Sequence, residues 1–300
     1  MSKCESLPLK GKPLKNVPVV TRAYKDYRKL SKGKMKMKIY CQNIWNNNPC
    51  APRNCIVREL VRDFDADVCF FQECGPQTNR IGDGEAPIVK LMNDSYSEVY
   101  PEAADRNFTP VFYKNDKYNL IDSGYFLYDG LNDANSKSVT WAVLEEKETG
   151  KKVVVASTHL WWKYDSEEDN FQRLQNVAQL KRFCDEMVSE TGLPIIVGGD
   201  FNNGKGSLQG DEPYHTMLKD GFCDTRLIAE ETCDEPTCVN SYPDVLPDKT
   251  VTPRNPSEYT IDYIFTYNAE NSKTKKFDVL TSETARQTSD HSPVLAVIEL

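Results

Sequence analysis

The stretch "PIIVGGDFNNGKG" (194–206) decides how this chain is read. Ile195, Ile196 and Val197 form a short apolar run without alternation, the pattern of a strand covered on both faces. Gly198 and Gly199 then remove side-chain bulk, and a bare backbone is expected to let ligand and loops approach closely. Asp200 and Asn202 follow, two residues apart and so on one side of an extended chain. A carboxylate and a carboxamide where a buried strand runs out do little for packing. They suit a polar site.

The same figure recurs along the chain. Asn43 follows "KIYCQ", Glu73 follows "CFFQ" and His159 follows "VVVAST". Asp262 opens "YIFTY", and Asp290 and His291 stand just before "SPVLAVIEL". Singly, each reads as a turn former or a charge at the end of an element. Together they put several carboxylates, two carboxamides and two of the three histidines at strand mouths, where they are expected to converge on one rim. A hard divalent cation and a phosphoryl group need this donor set. Magnesium takes a few oxygen ligands and keeps several waters, and as a Lewis acid it neutralises charge on phosphate oxygens. Imidazoles titrating near ~6.5 polarise a water or hold a non-bridging oxygen.

Around these positions the chain alternates short apolar runs with amphipathic stretches. Strands are predicted at 37–45, 67–73, in five pieces between 96 and 158, at "LPIIVGG", and in the closing "YTIDYIFTY", "KKFDVLTSE" and "SPVLAVIEL". Helices are predicted over 53–64, 86–94, 168–188 and "PYHTMLKDG". On the long helix, Phe171, Leu174, Val177, Ala178, Leu180, Phe183, Cys184 and Met187 make one apolar stripe. Residues 228–258 read as long loops. Strand-rich halves with interspersed helices suggest two packed sheets with helices outside.

Composition narrows the functions open to the chain. Three hundred residues, with no run of about 18 apolar residues, predict a globular protein without a membrane-spanning helix. The start, "MSKCESLPLKGKPLK", lacks the apolar core of a secretion signal, so a cytoplasmic monomer is the expectation. The net charge of −8 hides an asymmetry: residues 1–38 carry 12 Lys/Arg against 2 Asp/Glu, leaving 25 against 43 for the rest. The basic arm, residues 1–36, reads as a solvated leader. The acidic body argues against bulk adhesion to DNA, which needs many phosphate-neutralising cations. Of the ten cysteines, Cys233 and Cys238 in "TCDEPTC" suit a disulfide better than a zinc knuckle.

"QN", "FFQE", "THL", "GGDFNN", "TIDYIF" and "SDHSPV", in this order, resemble the endonuclease/exonuclease/phosphatase superfamily, to which deoxyribonuclease I belongs. The resemblance covers residues 37–300 as one domain and implies an α+β fold, a four-layer αββα sandwich of two packed, mainly antiparallel sheets. It implies Glu73 as the principal magnesium ligand, with Asn43 beside it and Asp290 contributing; Mn2+ is the expected substitute. Asp200 is then expected to orient the attacking water or to hold a second metal, and Asn202 to contact the phosphate. His291, supported by Asp262, is expected to act as base or as electrostatic stabiliser, and His159 to bind a phosphate oxygen and help protonate the leaving group. Arg173 is expected to brace this wall against substrate. Where the branch that repairs abasic DNA carries an Asp and a Tyr, this chain has Trp45 and His159. That favours the branch holding deoxyribonuclease I, sphingomyelinases, inositol-phosphate phosphatases and deadenylase-like nucleases.

The loop "LWWKYDSEEDNF" (160–171) adds Trp161, Trp162 and Tyr164 as candidates to stack on a base or sugar or to touch a lipid interface, and Lys205 is a candidate phosphate contact. Three functions follow: phosphodiester cleavage of nucleic acid, which the reading favours; hydrolysis of a small or lipid phosphate; and a catalytically silent binding module.

Overall fold

The computed structural model describes residues 33–45, 51–74, 88–99, 107–204 and 206–300. Nearly all of the basic arm, part of the predicted helix 86–94 and Lys205 lie outside the described residues.

The chain runs β1 (Lys36–Asn43), α1 (Ala51–Phe64), β2 (Val68–Gln72), α2 (Ile88–Met92), β3 (Tyr96–Val99), β4 (Val111–Lys114), β5 (Tyr118–Leu127), β6 (Ser138–Glu146) and β7 (Lys152–His159). It continues through α3 (Glu167–Thr191), β8 (Ile195–Asp200), α4 (Glu212–Lys219), β9 (Cys223–Asp224) and α5 (Thr225–Ile228). The short hairpin β10 (Asp244–Val245) and β11 (Val251–Thr252) precedes β12 (Asp262–Tyr267), β13 (Lys273–Val279), α6 (Glu283–Arg286) and β14 (Val294–Glu299).

Two six-stranded sheets result, ordered β13-β14-β1-β2-β4-β3 and β5-β6-β7-β8-β12-β9. Each is antiparallel except for one central parallel pair, β1 with β2 and β7 with β8. A crossover helix makes each parallel pair possible, because parallel neighbours cannot be joined by a tight turn. Both central pairs therefore end at Asn43, Gln72, His159 and Asp200, with all four C-termini at one end of the molecule.

The sheets face each other across an apolar layer that includes Ile39, Phe70, Val155, Ile196, Ile264 and Val294. Outside, α3 and α4 cover one sheet, with Leu180, Phe183 and Met217 against Val154 and Phe265. α1, α2 and α6 cover the other, with Val57, Val61, Ile88 and Ala285 against Phe71 and Leu295. This is the four-layer αββα sandwich.

Two sequence expectations change here. A Cβ on Gly198 would lie 2.4 Å from the Phe70 ring of the opposite sheet, so this glycine serves the close approach of the sheets, not of a ligand. On α3 the apolar stripe fails in its first turns. Phe171 is exposed, and the buried face there carries Gln172, Arg173 and Asn176, with Gln179 a turn on. These polar groups meet backbone that has no ladder partner. Gln172 accepts from Leu131 N–H at 2.8 Å and donates to Asp129 O at 2.9 Å, and Gln179 accepts from Asp129 N–H at 2.8 Å. Asn176 accepts from Trp161 N–H at 3.0 Å. The helix starts at Ser166, whose hydroxyl and Asp169 form a capping box.

Candidate active site

Strand register assembles the site. His159 on β7 pairs with Asp200 on β8, which pairs with Asp262 on β12, so three side chains stand abreast at one edge of one sheet. The other sheet brings Asn43, Glu73, Asp290 and His291 from the ends of β1 and β2 and the approach to β14. Two hydrogen bonds lock the sheets together just below: Gln72 Nε2 donates to Ser157 Oγ at 3.0 Å, and Ser157 Oγ donates to Phe71 O at 3.1 Å.

Asp200 is the hub. Its Oδ1 accepts from Asn202 N–H at 2.9 Å, and its Oδ2 from Asn43 Nδ2 at 3.0 Å, with His159 Nε2 at 3.3 Å and His291 Nε2 at 3.8 Å. Burial alone would raise this carboxyl, but the two imidazoles and the Asn43 amide hold it well below the usual carboxylate range. His291 turns its other nitrogen to Asp262, with Nδ1 2.9 Å from Oδ2. Thr237 donates to the same Oδ2 at 2.7 Å while accepting from Asp262 N–H, which fixes the carboxylate. Burial pushes Asp262 up, and it would lower His291 were the ring not surrounded by Asp262, Cys238, Asp290 and Asp200, which together raise it well above the ordinary value.

Glu73, at φ +57°, and Asn202, at φ +48°, hold left-handed backbone that only a constrained loop gives a non-glycine residue. Asn202 is therefore not extended beyond Asp200. The chain folds into an Asx-type turn, and Asn202 Nδ2 donates to Leu160 O at 3.1 Å. Asn43 donates to Glu73 Oε1 at 3.0 Å as well as to Asp200, while its Oδ1 accepts from Trp45 N–H at 3.0 Å. So oriented, Asn43 bridges the two carboxylates and keeps one lone pair of its Oδ1 uncommitted.

Glu73, His159, Asp200, Asn202, Asp290 and His291 line one cavity of about 670 Å³. Trp45, stacked on Tyr242 with ring centroids 4.6 Å apart and backed by the Arg53 guanidinium, makes one aromatic side. Trp162 and Tyr164 stand in the lining as well. Trp161 does not. It is buried, and its indole donates to Asp169 Oδ1 at 2.7 Å. Arg173 is also away from the cavity. It is buried and donates to Lys163 O and Gln209 O, tying together the loops on either side of His159 and Asn202. Substrate contact through Trp161 or Arg173 finds no support in this placement; both brace loops from behind. The Cys233–Cys238 disulfide is also absent: both thiols are free, with Cys233 accepting from Val279 N–H at 3.1 Å.

Lys137 was not legible in the sequence. It is buried on the cavity floor, with Nζ 3.2 Å from His159 Nε2 and 4.0 Å from Asp133. Burial pushes its ammonium down against the partial support of Glu73, Asp133 and Asp200. It precedes β6, antiparallel to β7, and only that pairing sets it beside His159.

Comparison with known proteins agrees with this geometry. The model of the endonuclease/exonuclease/phosphatase family matches residues 41–291. The chain belongs to that family. Human Nocturnin is 23% identical over 164 residues, which are 50% of this chain and 35% of Nocturnin, so the match spans about a third of that relative. A family protein of Bacteroides thetaiotaomicron superposes with a TM-score of 0.70 at 19% identity, over 89% of this chain and 96% of that one. A mannosyl-6-phosphatase of the same bacterium gives 0.68 at 19% identity, over 87% and 99%. The family's description names endonucleases, exonucleases and phosphatases, which cleave phosphoesters. No helix among the described residues is long and apolar enough to cross a membrane.

Proposed function

We propose that the chain is a divalent-metal-dependent hydrolase of compact phosphoesters, with magnesium the expected ion. The observation that carries this reading is the polar row His291–Asp200–His159–Lys137 lining an aromatic-walled cavity, with Asp262 held against His291.

Glu73 and Asp290 are the residues that would hold the metal. Burial pushes the Asp290 carboxyl up to about 6; His291 offsets part of this and the charge of Glu73 adds to it. Two carboxylates kept within each other's field are a donor set that a hard cation relieves. When bound, the ion neutralises charge on the phosphate and on the leaving oxygen.

The residues divide the remaining work. Asp200, held ionised and fixed by its neighbours, orients the attacking water through an acceptor oxygen. His291, kept charged by Asp262, faces the phosphate through Nε2 and stabilises its developing negative charge, which favours the stabiliser role over that of base. His159 and Lys137 present further donors for non-bridging oxygens. Trp45, Tyr242 and Trp162 suit a sugar or base carried by the ester.

The cavity walls and the acidic body support a compact substrate over a tracked duplex, and the mannosyl-6-phosphatase is a neighbour of that kind by name. A nucleic-acid strand is the second reading, favoured by the aromatic side chains that could receive an unstacked base. A panel decides: sugar phosphates, inositol phosphates, sphingomyelin, a chromogenic phosphodiester, single- and double-stranded DNA, and RNA, each with magnesium or with EDTA. Turnover of the small esters, abolished by EDTA, is expected. Turnover confined to polynucleotides would overturn the substrate reading, and full activity after metal removal would overturn the mechanism.

A further inference from the structure

Cys238 has no part in the chemistry above, yet it sits against His291. Its backbone bridges both His291 and Tyr259. Its Sγ lies 3.5 Å from His291 Nε2 and 3.5 Å from the Tyr259 hydroxyl. Asp290 Oδ2 is 4.0 Å from the same Nε2. One ligand atom from each of Cys238, Asp290 and His291 falls within 4.8 Å of the other two.

These distances have a chemical meaning. Zinc bound tetrahedrally by thiolate at ~2.3 Å and imidazole at ~2.0–2.1 Å sets sulfur and nitrogen about 3.6 Å apart. The Sγ–Nε2 separation here is 3.5 Å. The carboxylate oxygen, 4.0 Å from Nε2 and within 4.8 Å of Sγ, must move inward to complete the same geometry. The ring's other nitrogen already faces a carboxylate, Asp262 at 2.9 Å, which is the outer support that orients zinc-binding histidines. All three residues line the cavity, so a fourth position opens into it. A thiolate suits zinc and is a poor partner for magnesium.

We infer that Cys238, Asp290 and His291 form a zinc site, distinct in donor chemistry from the oxygen set at Glu73 and sharing Asp290 with it. Zinc enters as the Cys238 thiol proton, and any proton on His291 Nε2, leaves to solvent. Zinc held there takes Nε2 out of the cavity. For the proposed hydrolase, and resting on that reading, the consequence is zinc inhibition. The binding itself is independent of turnover.

The test uses the full chain stripped of metal, titrated with Zn2+ alone by calorimetry and with Co2+ by absorption. One zinc per chain is expected, with a thiolate-to-cobalt charge-transfer band in the near ultraviolet. Cys238→Ser should abolish the band and weaken zinc by at least about tenfold, and Asp290→Asn should weaken it while keeping the band. Cys55→Ser, at an exposed thiol, should change neither. Added Mg2+ should weaken apparent zinc affinity through the shared Asp290. No charge-transfer band in the wild-type chain, or undiminished zinc binding by Cys238→Ser and Asp290→Asn, would overturn the site. Neither result bears on whether the chain hydrolyses phosphoesters.

Discussion

Lys137 is buried against His159 with its ammonium held at a cost, and that cost makes a prediction. A lysine whose folded-state pKa is depressed destabilises the fold while charged in both states, and the penalty disappears as pH rises past the value of the unfolded chain. Lys137→Met should therefore raise the melting temperature near neutral pH, by about 2–4 °C, with the gain shrinking toward pH ~10.5. The same change should lower kcat/KM by roughly ten- to a hundredfold if the ammonium holds a phosphate oxygen. Scanning calorimetry across pH, beside steady-state kinetics, checks both. A variant that loses stability and keeps activity would contradict the role. At this scale the sequence showed the acids, amides and histidines because each stands at one end of a strand. It hid Lys137, Thr237 and Tyr242, whose importance exists only through partners distant in sequence. It also misplaced Trp161 and Arg173, since nothing in "LWWKYD" or "FQRLQ" says which side chain turns inward.

Strands and helices were legible where periodicity carried them, and their errors share one cause. α3 was read as apolar throughout because Phe171 and Leu174 sit at helical spacing with Val177. The buried face in its first turns is polar because it must satisfy the backbone of Asp129, Leu131 and Trp161. Likewise Gly198 looked like room for a ligand, when the crowding comes from a strand of the other sheet. Gly198→Ala tests this. The new methyl meets Phe70 at 2.4 Å, so destabilisation by about 1–3 kcal/mol is expected. Phe70→Leu in the same chain should recover part of the loss. Denaturant midpoints of the two single variants and the double variant measure the coupling; strict additivity would show that the sheets do not meet there.

The molecule as a whole carries its charge away from polyanions: the chain after residue 38 holds 25 basic against 43 acidic side chains. Binding to a nucleic acid that depends on several phosphate contacts weakens steeply with salt, by a log–log slope near the number of contacts. A compact ester offers one or two such contacts. A compact ester carries no condensed counterion atmosphere, so log kcat/KM for the preferred substrate is expected to fall only shallowly with log salt. A markedly steeper slope would favour a polynucleotide.

The sandwich gathers the candidate site residues at one end of two sheets, and Asp200 is the group on which both halves converge. Asp200→Asn keeps the size of the side chain and one acceptor oxygen for the Asn202 N–H, and removes its charge. The decisive measurement is kcat for this variant on the best ester of the panel, at saturating magnesium. The account predicts a fall of roughly a thousandfold with the fold intact by circular dichroism. A kcat within about twofold of the wild-type chain would contradict it.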